Sequence, residues 1–122
     1  MNQELDKPRL LLVDDDITFC SVLKLALEKR SYEVIVANDV ETGIQLAEIN
    51  EPEYAIIDLR IGYQSGLELV KKLISLDGNT QIVMLTGFAS IATAVEAIKL
   101  GAIHYLTKPA NADEIVNALK KN

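Results

Sequence analysis

Strand-length apolar runs alternate with helically spaced segments from one end of the chain to the other, and no other feature of the sequence constrains the fold as tightly. The runs cover residues 9–13, 33–37, 54–58, 81–85 and 103–107, each rich in apolar or β-branched side chains. Between them, apolar positions recur with the period of a helix. The first two sets are Phe19, Val22, Leu23, Leu25, Ala26 and Leu27, then Val40, Ile44, Leu46 and Ala47. The third is Leu67, Leu69, Val70, Leu73 and Ile74; the fourth is Ile91, Ala94, Val95, Ala97, Ile98 and Leu100; the last is Ala112, Ile115, Val116 and Leu119. Asp16, Asp39 and Asn111 stand where N-caps are needed, because a short side-chain oxygen there accepts an N–H with no partner inside the helix. Gly101 is placed to close the fourth helix. The predicted pattern is (βα)5, an α/β fold.

Runs such as Leu10-Leu11-Leu12-Val13 and Ala55-Ile56-Ile57 do not alternate with polar residues, so both faces of their sheet are covered. Parallel strands with right-handed helical crossovers satisfy that requirement. The expected architecture is a doubly wound, flavodoxin-like sheet of order 2-1-3-4-5, with function beyond the carboxyl ends of its strands. A chain of 122 residues suits one domain, expected to span residues 1–122. It stops at Lys120-Lys121-Asn122 as the last helix finishes, where a linker and a second domain would follow in a longer protein.

The net charge of -6 argues against this segment gripping a nucleic-acid backbone or an anionic membrane, both of which call for clustered Lys and Arg. The single cysteine, Cys20, cannot form an internal disulfide and falls within the first helical pattern, so it reads as core in a reducing compartment. The opening MNQELDKPRL has no apolar stretch of signal-peptide type, and no run nears the roughly 20 apolar residues of a membrane span. A cytoplasmic location is expected.

Chemistry-bearing residues fall at the ends of the predicted strands. The first runs into Asp14-Asp15-Asp16, the third ends in Asp58, the fourth in Thr86-Gly87 and the fifth in Thr107-Lys108-Pro109. Carboxylates packed this closely repel one another, and a site that keeps them ionised usually offers a cation; hard oxygen donors suit Mg²⁺. The topology gathers Asp14, Asp15, Asp58, Thr86 and Lys108 at one edge. Acids for a metal, a further acid as nucleophile, and a hydroxyl and an ammonium to neutralise peripheral oxygens describe a phosphoryl-transfer site. In this reading Asp58 attacks phosphorus, Asp14, Asp15, Asp58 and the Arg60 carbonyl hold Mg²⁺, and Thr86 and Lys108 bind phosphoryl oxygens.

These residues resemble the receiver domain of two-component response regulators over residues 8–120. The family pattern of an acidic pair, a phosphoacceptor Asp, a Thr or Ser, an aromatic and Lys-Pro is matched by Asp14-Asp15, Asp58, Thr86, Tyr105 and Lys108-Pro109. The stretch LTGFASIATAVEAIKLGAIHYLTKPA, with Asp58-Leu59-Arg60-Ile61-Gly62, looks most like the RegA/PrrA/ActR group of redox-responsive transcription regulators. The resemblance implies a sensor histidine kinase as phosphodonor, a switch rather than a turnover enzyme, and a cis bond before Pro109. It also implies that Tyr105 swings inward when Thr86 is drawn to the phosphoryl group. The output would pass through a face containing Ala94, Ile98, Tyr105 and Asp113, with homodimerisation on phosphorylation. DNA would be reached only through an output domain absent from this chain. Gly62 and Ala110 stand where many receivers have Pro and Phe, without removing a chemical group. Phe88, two residues past Thr86, is a candidate for restricting water's access to the acyl phosphate.

Taken singly, each residue has an ordinary reading. Asp16 is a helix cap, Asp58 and Thr86-Gly87 are turn residues, Lys108 is a surface lysine, and Tyr105 and Phe88 are packing aromatics. A rival function also exists. Asp14-x-Asp16-x-Thr18 after an apolar strand resembles the opening of haloacid-dehalogenase-like phosphatases, with Asp14 as nucleophile and Asp16 as acid/base. That family uses a larger fold, and it leaves Asp58 unexplained. A pseudo-receiver that only binds is the remaining alternative.

Overall fold

The computed structural model describes residues 7–120. Residues 1–6, read above as lacking a signal-type stretch, and Lys121 and Asn122 at the chain end lie outside the described residues. The elements are β1 (Arg9–Val13), α1 (Ile17–Glu28), β2 (Glu33–Ala37), α2 (Val40–Asn50), β3 (Tyr54–Ile57), β4 (Arg60–Ile61), β5 (Gln64–Ser65), α3 (Gly66–Leu76), β6 (Gln81–Thr86), α4 (Ile91–Leu100), β7 (His104–Thr107) and α5 (Ala112–Lys120). The main sheet is parallel with order β2-β1-β3-β6-β7, which is the expected 2-1-3-4-5 once the small β4–β5 hairpin is set aside. That hairpin has no counterpart in the predicted pattern. Two-residue strands are too short to show a period of two.

Alternate strand residues feed opposite cores, as a doubly wound sheet requires. Leu11, Val13, Ala55, Ile57, Ile82 and Met84 meet α2, α3 and α4 on one face. Leu10, Leu12, Ile56, Val83 and Leu85 meet α1 and α5 on the other, where Cys20 is buried as expected. Apolar spacing overstates burial on two helices. On α4 only Ala97 is buried while Ile91, Val95 and Ile98 face outward, and on α1 Val22 and Leu25 do the same.

The caps fall where the sequence places them. Asp16 and Asp39 accept from the Phe19 and Thr42 N–H groups at 3.0 and 2.7 Å. Asn111 and Glu114 bond each other's backbone N–H reciprocally, a capping box that starts α5. Gly101 closes α4 at φ 120°, a conformation open to a residue without Cβ. Among the described residues no helix is long and apolar enough to cross a membrane.

Candidate functional site

Sheet register builds the site. Val13 pairs with Ile57, Ile57 with Met84, and Met84 with Tyr105, so the residues that follow emerge side by side at the carboxyl edge. The Asp58 N–H donates to the Val13 carbonyl at 3.0 Å and the Lys108 N–H to the Thr86 carbonyl at 2.9 Å, extending the ladder to the functional residues themselves. The bond before Pro109 is cis.

Carboxylate oxygens of Asp14, Asp15 and Asp58 lie within 4.8 Å of one another, the separation at which one cation serves all three. Asp14 and Asp58 are 2% and 6% exposed, so their mutual repulsion is poorly screened. Lys108 answers part of it: its Nζ lies 2.7 Å from Asp14 Oδ2 and 3.2 Å from Asp58 Oδ2, and 4.3 Å from the centre of the Phe19 ring. Asp14 Oδ1 accepts from the Asp16 N–H at 2.9 Å, and Asp15 Oδ2 from the Gly62 N–H at 2.9 Å. Asp58 Oδ1 is buried with no hydrogen-bond partner. A buried, unpaired carboxylate oxygen among acids is what a divalent cation would satisfy, and the donor set, oxygen throughout, fits one.

Burial pushes the Asp14 carboxyl above its usual range, and the Asp58 charge adds to it; bonds from Lys108 and the Asp16 N–H oppose the rise without cancelling it. For Lys108 burial acts downward, but the two carboxylates outweigh it and the ammonium is held more firmly charged than usual. The Cys20 thiol is pushed up to about 11 by burial and by the nearby acids, which keeps it protonated at neutral pH.

Thr86 is fully buried, and its Oγ1 accepts from the Phe88 N–H at 3.0 Å. Phe88 is half exposed, and the Arg60 guanidinium lies 4.7 Å above its ring. Tyr105 is half-buried, and its hydroxyl is 2.6 Å from Thr93 Oγ1 on α4. Asp113, grouped with the α4–β7–α5 face from sequence, pairs with Arg30, in the turn after α1, at 3.0 Å. The packing of α5 beside the turn that follows α1 decides that, and helical spacing does not encode it.

Three residues at the site were missed by sequence reasoning. Gly66 opens α3 against the backbone of Asp58, where a Cβ would collide with the Asp58 carbonyl. Thr93 holds Tyr105, and Asn38 donates to the Asp14 carbonyl at 2.9 Å. Only Gly66 left a signal, as a glycine at the start of a helix directly after a Ser cap. The other two contacts depend on which elements become neighbours.

A family model described as the response regulator receiver domain matches residues 10–120. The acid tolerance regulatory protein ActR of Sinorhizobium medicae (strain WSM419) is 46% identical over 110 residues, covering 90% of this chain and 57% of its own length. The photosynthetic apparatus regulatory protein RegA of Rhodobacter capsulatus is 47% identical over 110 residues, covering 90% of this chain and 60% of its own. The chain thus spans well under two thirds of these relatives. Among solved structures, a response regulator protein from Burkholderia pseudomallei with a phosphorylated aspartic acid, a calcium ion and citrate superposes with a TM-score of 0.92 at 41% identity, covering 95% of this chain and 68% of that one. A CheY-like receiver domain protein from Methanospirillum hungatei JF-1 superposes at 0.89 with 31% identity, covering 93% of this chain and 91% of that one.

Proposed function

The chain belongs to the response regulator receiver domain family, and on that premise we propose that it is a phosphorylation-dependent switch with Asp58 as phosphoacceptor. One observation supports the residue assignment: Asp58, within the acid cluster, has a buried, unpartnered oxygen, while its other oxygen is held by Lys108. An Asp58 oxygen attacks phosphorus as the bond from phosphorus to the donor's imidazole nitrogen breaks, and the leaving imidazole takes up a proton. Asp14, Asp15, Asp58 and the Arg60 carbonyl would hold Mg²⁺. When bound, the cation neutralises charge that the carboxylates and phosphoryl oxygens otherwise set against each other. Lys108 exchanges part of its contact with Asp58 for a phosphoryl oxygen, and Thr86 turns its hydroxyl from the Phe88 N–H toward another. Both residues then bind the modified state better than the free one, which is the differential affinity a switch needs.

The donor is a sensor histidine kinase, and the chain assists its own phosphorylation and hydrolysis without being a turnover enzyme. The output is a change of the α4–β7–α5 face at Ala94, Ile98 and Tyr105, with homodimerisation of the phosphorylated form. Transcription is reached through a DNA-binding domain outside this sequence, as the regulatory proteins it resembles suggest. The buried free thiol of Cys20 is compatible with the cytoplasm. Against a phosphatase with Asp14 as nucleophile stands Asp16, whose carboxylate is spent on capping α1.

The test is intact-protein mass spectrometry after incubation with Mg²⁺ and acetyl phosphate, comparing wild type with Asp58→Asn and Asp14→Asn. The expected result is a single base-labile phosphoryl adduct that is lost in Asp58→Asn and greatly slowed in Asp14→Asn. Phosphate release that survives Asp58→Asn and vanishes in Asp14→Asn would favour the phosphatase; neither adduct nor turnover would leave a binding module.

A further inference from the structure

The peptide that joins Asp14 to Asp15 is gripped by side chains from two other elements. Asn38, at the end of β2, donates through Nδ2 to the Asp14 carbonyl at 2.9 Å. The Cys20 thiol of α1 donates to the same oxygen at 3.4 Å, and Asn38 Nδ2 is 3.8 Å from Cys20 Sγ, which closes a triangle. On the other side of the residue, the Asp14 N–H donates to the Ala37 carbonyl at 3.2 Å. Ala37 and Asn38 therefore take hold of both peptide groups of Asp14. A peptide is planar, so fixing its carbonyl direction also fixes where the Cα of Asp15 stands and where its carboxylate begins. The two acids then diverge as observed, Asp14 inward to Lys108 and Asp15 outward to the Gly62 N–H.

We infer that Asn38 and Cys20 are positioning residues for the divalent cation: their shared bond to the Asp14 carbonyl sets the relative placement of the Asp14 and Asp15 carboxylates. The inference rests on the reading of those acids as cation ligands. A carbonyl oxygen has two lone pairs, so it accepts both donors at once and loses its bearing fully only when both are gone. Groups that orient metal ligands typically cost about tenfold or more in affinity when removed.

The experiment is a Mg²⁺ titration of the ¹⁵N-labelled chain followed by amide shifts, with the melting temperature of each variant measured in EDTA. Asn38→Ala is expected to weaken Mg²⁺ about tenfold. Cys20→Ala should weaken it less, because a thiol is a poor donor, and Cys20→Ser, which keeps a donor, should stay near wild type. The double alanine variant should lose more than the product of the two single losses. Wild-type affinity in Asn38→Ala, with only the EDTA melting temperature lowered, would overturn the inference and leave the cation reading standing. Should Asn38→Ala fail to fold, the Ser and Ala variants of Cys20 decide, and equal affinities for those two would count against it. No Mg²⁺ response in wild type would bring down the ligand reading and this inference together.

Discussion

Lys108 Nζ lies 2.7 Å from Asp14 Oδ2 across 94 residues of sequence, a bond between an ammonium and a carboxylate that is almost wholly buried. It gives the acids an internal cation.

Removing that ammonium should have opposite effects on folding and on metal binding. Lys108→Ala leaves Asp14 and Asp58 buried together, and in EDTA the expected loss is about 2 kcal/mol, below the usual cost of breaking a buried pair because the ammonium reaches solvent. Mg²⁺ no longer competes with Lys108 for the same oxygens, so its affinity should rise. Urea unfolding with and without Mg²⁺ reads both effects. A variant as stable as wild type in EDTA would mean that the acids do not need the ammonium.

The raised carboxyl of Asp14 gives a pH dependence of definite sign. Its folded pKa lies above the ordinary 3.8, so between the two values the folded chain binds more protons than the unfolded one. Stability from this group therefore falls as pH rises through that window. Measured in EDTA, wild type should lose stability relative to Asp14→Asn as the pH climbs above 3.8. A relative gain over that interval would contradict the buried placement of Asp14.

Gly66→Ala should be among the most damaging single substitutions outside the acids. The added methyl collides with the Asp58 carbonyl, and backbone cannot rotate away as a side chain would. The expected cost is about 3 kcal/mol, with slowed phosphorylation at Asp58 in whatever folds. Thermal melting together with adduct formation would show it.

Thr93→Val removes the partner of the Tyr105 hydroxyl without changing the shape of the site. The inward position of Tyr105 should gain population, so its ring resonances in the unmodified protein should move toward those seen with a phosphoryl mimic. Resonances unchanged from wild type would show that Thr93 does not hold the ring out.

Phe88→Ala and Arg60→Ala test the mouth of the site. If their stacked side chains restrict water's access to Asp58, either change should shorten the acyl-phosphate lifetime several-fold. An unaltered lifetime in both would return Phe88 to the role of loop packing.

Much of this was legible in the sequence, for reasons that differ by residue. The strands were readable because a parallel sheet covered on both faces has no polar interruption, as in Leu10-Leu11-Leu12-Val13, and caps such as Asp39 mark helix starts. Asp14, Asp58, Thr86 and Lys108 were readable because each directly ends or follows a strand, and topology alone brings strand ends together. Asn38, Thr93 and the Arg30–Asp113 pair were not, since each depends on side-chain reach between elements whose relative rotation local spacing does not encode. The same holds for Val22, Leu25 and Ile91, apolar residues on helical spacing that face solvent.

The β4–β5 hairpin leaves the end of β3 and comes back to the same place, where the Gly66 N–H donates to the Leu59 carbonyl at 2.6 Å. Its neck is shut by that bond whatever hangs from it. Doubling the length of a closed loop costs only about 0.6 kcal/mol, so residues added after Tyr63, which projects fully into solvent, lengthen the tip without pulling on Asp58. The tip is a grafting port: a fluorophore or short epitope spliced on the Tyr63 side would sit beside the acceptor and signal its occupancy, as long as the bond from the neighbouring Gly62 N–H to Asp15 is kept.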